Sequence, residues 1–108
     1  MAEENNRYTY REEWSEEDGI YIGRCLEFPS LAAHGSSPEA ALVEIRAVIV
    51  AVVEDLRAAN EPIPEPLASR PYSGKLVLRL PKDLHRDVAI RAAEEGVSIN
   101  QYLLSRLA

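Results

Sequence analysis

The chain has 108 residues, an ordinary apolar content of 46 % and a net charge of −6. This length fits one small domain, or one small domain with an appendage. No uncharged apolar run reaches the roughly 18 residues of a membrane span, and the acidic, polar start Met-Ala-Glu-Glu-Asn-Asn is not a secretory signal. Cys25 stands alone, which excludes an intrachain disulfide or a cysteine metal cluster. A cytoplasmic protein that needs no cofactor and contacts no membrane is the simplest expectation. The charge is uneven. Residues 1–70 carry six Lys and Arg against fourteen Asp and Glu, a balance of −8; residues 71–108 carry six against four, a balance of +2. An acidic part suits a basic partner or plain solubility, and the basic end suits a polyanion.

In chain order, Arg7 to Trp14 reads as a half-buried strand, with Tyr8, Tyr10 and Trp14 at even spacing. Ser15 to Gly19 is a charged turn whose Asp18-Gly19 pair signals a hairpin. Ile20 to Cys25 should pair back. Pro29 in Glu27-Phe28-Pro29-Ser30 cannot donate to a ladder and breaks the strand. Leu31 to Gly35 reads as a third short strand.

A long helix follows, to about Asn60. Ser37 is its N-cap, Pro38 its first residue, and Glu39 complements the dipole. Ala41, Leu42, Ile45, Val48, Ile49, Val52 and Leu56 share one face, which should cover the sheet. Val43, Ala47 and Val50 lie on the opposite side. They either meet another subunit or partner, or are a tolerated scatter of small side chains. Asn60-Glu61-Pro62-Ile63-Pro64-Glu65-Pro66 ends the helix in a stiff, extended connector. Leu67 to Tyr72 continues it and has room for one short edge strand. The expected division is a domain over 1–66, a linker over 67–72 and a second unit over 73–108.

In the second unit, Lys75 to Leu80 alternates. Leu76, Leu78 and Leu80 point to one face, and Lys75, Val77 and Arg79 to the other. Pro81 ends this strand and opens a helix with the apolar stripe Leu84, Val88 and Ala92. Gly96 is a left-handed stop that Val97 covers. Ser98 and Gln101 form a capping box on a last helix. Ile99, Leu103 and Leu107 share one face there, with Tyr102 beside them. So short a segment cannot close a core alone. Two chains can. Antiparallel pairing of two strands puts six leucines on one face under four helices. Leu76, Leu78, Leu80, Leu84, Val88, Ile99, Leu103 and Leu107 would form the dimer core. The other face offers two copies of Lys75, Val77 and Arg79 to base edges in a major groove. Ser98, Ile99 and Asn100, at a helix start, suit a DNA phosphate on each flank.

This order of strand, helix, Gly stop and capped helix resembles the ribbon-helix-helix family of DNA-binding dimers. The earlier residues resemble the HicB antitoxin domain at Trp14-Ser15-Glu16-Glu17-Asp18-Gly19, Glu27-Phe28-Pro29-Ser30-Leu31, Ser37-Pro38-Glu39-Ala40-Ala41-Leu42 and Glu61-Pro62-Ile63-Pro64-Glu65-Pro66. The resemblance implies an α+β fold: a small antiparallel sheet, ribonuclease H-like but degenerate, with one long helix, then a ribbon-helix-helix that dimerises. It implies an antitoxin of a type II toxin-antitoxin system. Such a protein neutralises a HicA-like mRNA-cleaving toxin and represses its own operon by binding operator DNA, as a homodimer or higher oligomer. The acidic first part would face the basic toxin. The alternative is a stand-alone transcription regulator of the same type, whose first domain serves oligomerisation or ligand sensing.

No enzyme is expected. Metal-dependent nuclease chemistry needs several carboxylates converging on one metal pair, whereas Glu12, Glu13, Glu16, Glu17 and Asp18 read as a solvated turn. His34 lines a partner-facing surface or sits in a loop, the loop being favoured. His85 reads as a half-buried surface residue, and Cys25 as a small core residue.

Overall fold

A computed structural model describes residues 5–108. They divide into two compact units, one up to Tyr72 and one over Ser73–Ala108. In the first unit, β1 (Tyr10–Ser15), β2 (Ile20–Cys25) and β3 (Ala32–Gly35) form an antiparallel meander in the order β1-β2-β3. Trp14 lies opposite Tyr21 and Ile22 opposite His34, which fixes the register. The hairpin turn closes through the Gly19 N–H on the Ser15 carbonyl at 2.7 Å, and Gly19 takes the positive φ of 63° that the expected turn requires. β1 begins later than the alternation implies. Tyr8 precedes the strand yet is buried against Phe28, edge to face at 5.4 Å. Trp14 is 51 % exposed and leans on Tyr21.

Helix α1 (Pro38–Ala58) covers the sheet. The Ser37 hydroxyl accepts the Ala40 N–H at 3.0 Å, with Pro38 in the first turn. At the other end Asn60 adopts a left-handed φ of 56°, and the Glu61 N–H closes on the Leu56 carbonyl at 2.9 Å. Ala41, Ile45, Ile49 and Val53 are the buried stripe; Leu42, Val48, Val52 and Leu56 flank it. The buried line is thus rotated slightly from the expected one and includes Val53. With Tyr8, Cys25, Phe28 and Ala33, three of these residues, Ile45, Ile49 and Val53, make the core. The start of α1 lies unusually close to the sheet. A Cβ on Gly35 would sit 2.2 Å from the Ala41 nitrogen, and one on Gly23 2.4 Å from the Ala41 carbonyl oxygen.

The connector is strapped to this unit. The Tyr8 hydroxyl donates to the Pro64 carbonyl at 2.7 Å, and Ile63 packs on the core. Leu67 to Tyr72 holds no edge strand. Leu67–Ser69 is a 3-10 turn, because the Leu67 N–H goes to the Glu27 carboxylate and the Ser69 N–H to the Pro66 carbonyl. The Tyr72 hydroxyl then donates back to the Leu67 carbonyl at 2.6 Å.

In the second unit, α2 (Lys82–Glu95) ends at Gly96, left-handed at φ 69°, with the Val97 N–H on the Ala92 carbonyl. Helix α3 (Ile99–Leu107) starts in a reciprocal capping box between Ser98 and Gln101. Val88, Ala92 and Tyr102 are its buried residues. No helix among the described residues is long and apolar enough to cross a membrane.

Candidate nucleic-acid interface

Residues 75–80 form no ladder within the single chain. Leu76 is 93 % exposed, Val77 91 % and Leu78 65 %, while Leu80 is half-buried against the Val88, Ala92 and Tyr102 cluster. Two leucines of the alternating segment therefore stand in water, in line with Lys75 and Arg79. Solvent exposure of neighbouring large aliphatic side chains is costly, at roughly 1.5–3 kcal/mol each relative to burial. The exposure continues on the helices. Leu84 is exposed, as are Leu104 and Leu107, and Ile99 and Leu103 are half-buried.

Of the expected dimer-core residues, then, the chain buries Val88 itself, half-buries Leu80, Ile99 and Leu103, and leaves Leu76, Leu78, Leu84 and Leu107 exposed. Tyr102, expected only beside the stripe, is the centre of this unit. Its ring lies under the Arg106 guanidinium at 5.0 Å, and Arg106 also reaches Glu95 at 3.6 Å. A hydrogen bond to the Tyr102 side chain raises Arg91 above its ordinary pKa. The only sequence signal for this role is spacing: Tyr102 is three residues after Ile99 and four before Arg106.

The start of α3 is partly occupied. The Ser98 oxygen accepts the Gln101 N–H at 3.0 Å, and the Ser98 N–H donates to the Gln101 side chain at 3.1 Å. The Ser98 amide is thus taken within its own box, and the Ile99 and Asn100 amides lie outside that pairing. The Ser98 hydroxyl proton can still be donated outward. The positive end of the helix dipole adds to the pull on an anion here.

The first unit offers a different chemistry. Glu27, which sequence reasoning treated only as part of a strand break, is buried at 7 % exposure. Its carboxylate accepts from the Thr9 N–H at 2.9 Å, the Thr9 hydroxyl at 3.1 Å and the Leu67 N–H at 2.9 Å. Burial pushes its carboxyl up, but the backbone N–H bonds from Leu67 and Thr9 outweigh that, and it is held below its ordinary value. It is a clasp between β1, the β2 end and the connector. One acidic residue inside the apolar run Cys25-Leu26-Glu27-Phe28 was the available signal. Cys25 is buried beside it, and burial raises its thiol to about 11. Burial likewise raises Tyr10 to about 12.

The other candidates of the first unit are spread over its surface. Glu12, Glu13, Glu16, Glu17 and Asp18 are all exposed; Glu13 pairs with Arg24 at 2.9 Å and Glu16 accepts from the Trp14 indole. No group of three or more His, Cys, Asp or Glu among the described residues is placed to hold a metal ion. His34 is not a loop residue. It lies in β3, exposed, because the strand extends to Gly35. His85 is exposed rather than half-buried, since α2 turns it away from Val88 and Ala92.

Residues 59–107 match the HicB family, which supports membership of that family and points to a toxin-antitoxin-related protein. HicB is an antitoxin family, generally not enzymatic. The match covers somewhat under half of the chain and begins after α1. It takes in the proline connector and the second unit, while the motifs at 14–19, 27–31 and 37–42 lie outside it. Neither the curated proteins nor the solved structures contain a significant match to the chain.

Proposed function

We propose that this chain is a DNA-binding antitoxin. Residues 75–80 of two copies pair antiparallel into a ribbon. Leu76, Leu78 and Leu80 turn inward onto both copies of α2 and α3, and Lys75, Val77 and Arg79 face the major groove. The Ile99 and Asn100 amides and the Ser98 hydroxyl hold a phosphate at each flank. The observation that carries this reading is the exposure of Leu76 and Leu78 in a segment with no ladder partner, directly ahead of two well-capped helices. A second copy would remove those leucines from water and satisfy the unpaired backbone at once.

On the same reading the acidic first unit, a pared-down ribonuclease H-like sheet, neutralises a basic, HicA-like RNA-cleaving toxin. Its balance of −8 supports attraction to such a partner. The operator bound is that of the chain's own operon, so that it represses itself.

The test is a gel shift with DNA from upstream of the chain's own reading frame. Arg79→Ala should lose about 1–3 kcal/mol of binding to the specific site, as expected for one lost base-reading contact. Its sedimentation should stay that of the wild type. Unchanged affinity for specific DNA would reject the ribbon assignment. Co-purification with a small basic protein from the adjacent reading frame tests the toxin arm; its absence, with DNA binding intact, would favour the stand-alone regulator.

A further inference from the structure

The exposed side of α1 carries a second apolar line that the proposed ribbon does not use. Ala47 and Ala51 are exposed there, with Val43 64 % exposed and Val50 37 %. Ala40 extends the line toward the helix start, half-buried. These residues lie opposite the buried Ala41, Ile45, Ile49 and Val53, so the sheet cannot cover them. Their side chains are small, which lets another helix approach to about 8–10 Å between axes.

We propose that this face packs, antiparallel, on the same face of a second copy of the chain. The charges beside the line select that occupant. Glu39 is in the first turn of α1 and Arg57 in the last. They are 18 residues apart, which is five turns at about 3.6 residues per turn, so they share one flank about 27 Å apart. A two-fold axis near Val48 brings Glu39 of each copy beside Arg57 of the other. The carboxylates of the opposite flank, Glu44 and Asp55, then meet residues 52 and 41 of the other helix and not each other. Glu54 lies centrally on the exposed face and is kept from its own copy by roughly 18 Å along the axis. A parallel pairing would set Glu54 directly against Glu54, a repulsion with nothing to offset it. Ala47, next to the axis, is where the two backbones come closest.

This contact does not rest on the ribbon reading. If both hold, the chain has two separate self-association surfaces and assembles as four copies; if only the α1 contact holds, it assembles as two.

Sedimentation velocity of the full chain tests it, with Ala47→Glu as the first variant. Ala47 is exposed, so the fold should survive, as Trp14 fluorescence would report. The variant is expected to halve the assembled mass, from four copies to two, or from two to one if the ribbon reading fails. Charge reversal gives a second test should Ala47→Glu misfold. Glu39→Arg alone and Arg57→Glu alone should each weaken assembly, and the two together should restore it. A mass unchanged by Ala47→Glu, a wild-type chain already no larger than the ribbon dimer, or a charge swap that fails to restore assembly overturns the proposal. Assembly of the Ala47→Glu chain that is unchanged while binding of a basic partner is lost would assign the face to that partner instead.

Discussion

The two units bury their apolar residues to very different degrees. In the first, Ile45 and Ile49 are fully buried and Cys25 is 1 % exposed, under a helix of 21 residues. In the second, Val88, Ala92 and Tyr102 are the buried set, while Leu76, Leu78 and Leu107 face water. Both have well-formed helix ends, so local signals do not separate them. What separates them is whether one copy of the chain supplies enough surface to close a core. The first unit satisfies its own interior; the second is shaped for completion by another molecule.

That contrast can be broken experimentally, and the chain carries a convenient reporter, because its one tryptophan, Trp14, lies in the first unit. The largest effect is expected from Leu78→Ala. It removes two buried side chains per ribbon dimer, about 2 kcal/mol or more each, so dissociation should rise on the order of a thousandfold. The Trp14 unfolding transition should not move. If that transition shifts as well, the two units are not energetically separate.

Ile49→Ala is the mirror experiment. It should cost about 3 kcal/mol in urea denaturation followed by Trp14, with no change in the affinity of the ribbon for itself. Glu27→Gln comes next, at about 1–2 kcal/mol, because one of the carboxylate acceptors becomes a donor facing the Thr9 or Leu67 N–H. The same residue gives a pH signature. Its carboxyl is held below its ordinary value in the folded chain. Its contribution is therefore complete above the ordinary carboxylate range and fades as pH falls through the lower folded value. The first unit should lose stability in acid, and Glu27→Gln should flatten that slope. An acid limb of equal steepness in both proteins would remove Glu27 as its cause. Ser98→Ala should give the smallest change, about 1 kcal/mol from the lost cap, seen in helix content of the second unit alone.

Legibility in the sequence followed the range of the interactions. Ser37, Pro38, Gly96 and the Ser98–Gln101 box act within four residues of their partners, and all of them sit where their spacing implies. The hairpin and the long helix were readable for the same reason. Glu27 was not, because its partners Thr9 and Leu67 lie 18 and 40 residues away. That long bond also turns residues 67–69 into a 3-10 turn where an edge strand had seemed possible. Tyr102 was misjudged through a competition between faces. Its helix has one side for α2 of the same chain and another facing outward, and the leucine repeat signals only the latter. Trp14 kept strand spacing but lies at the hairpin end, beyond the cover of the core.

Two bare α-carbons set the thickness of the first unit. Gly23 and Gly35 leave room for the backbone of Ala41 to rest on the strands themselves. A single methyl group at either place would act as a shim, lifting the first turns of α1 and tilting its whole outer surface. The direction in which Val43 and Ala47 look outward is thus governed from the inside, by the smallest residues in the sheet.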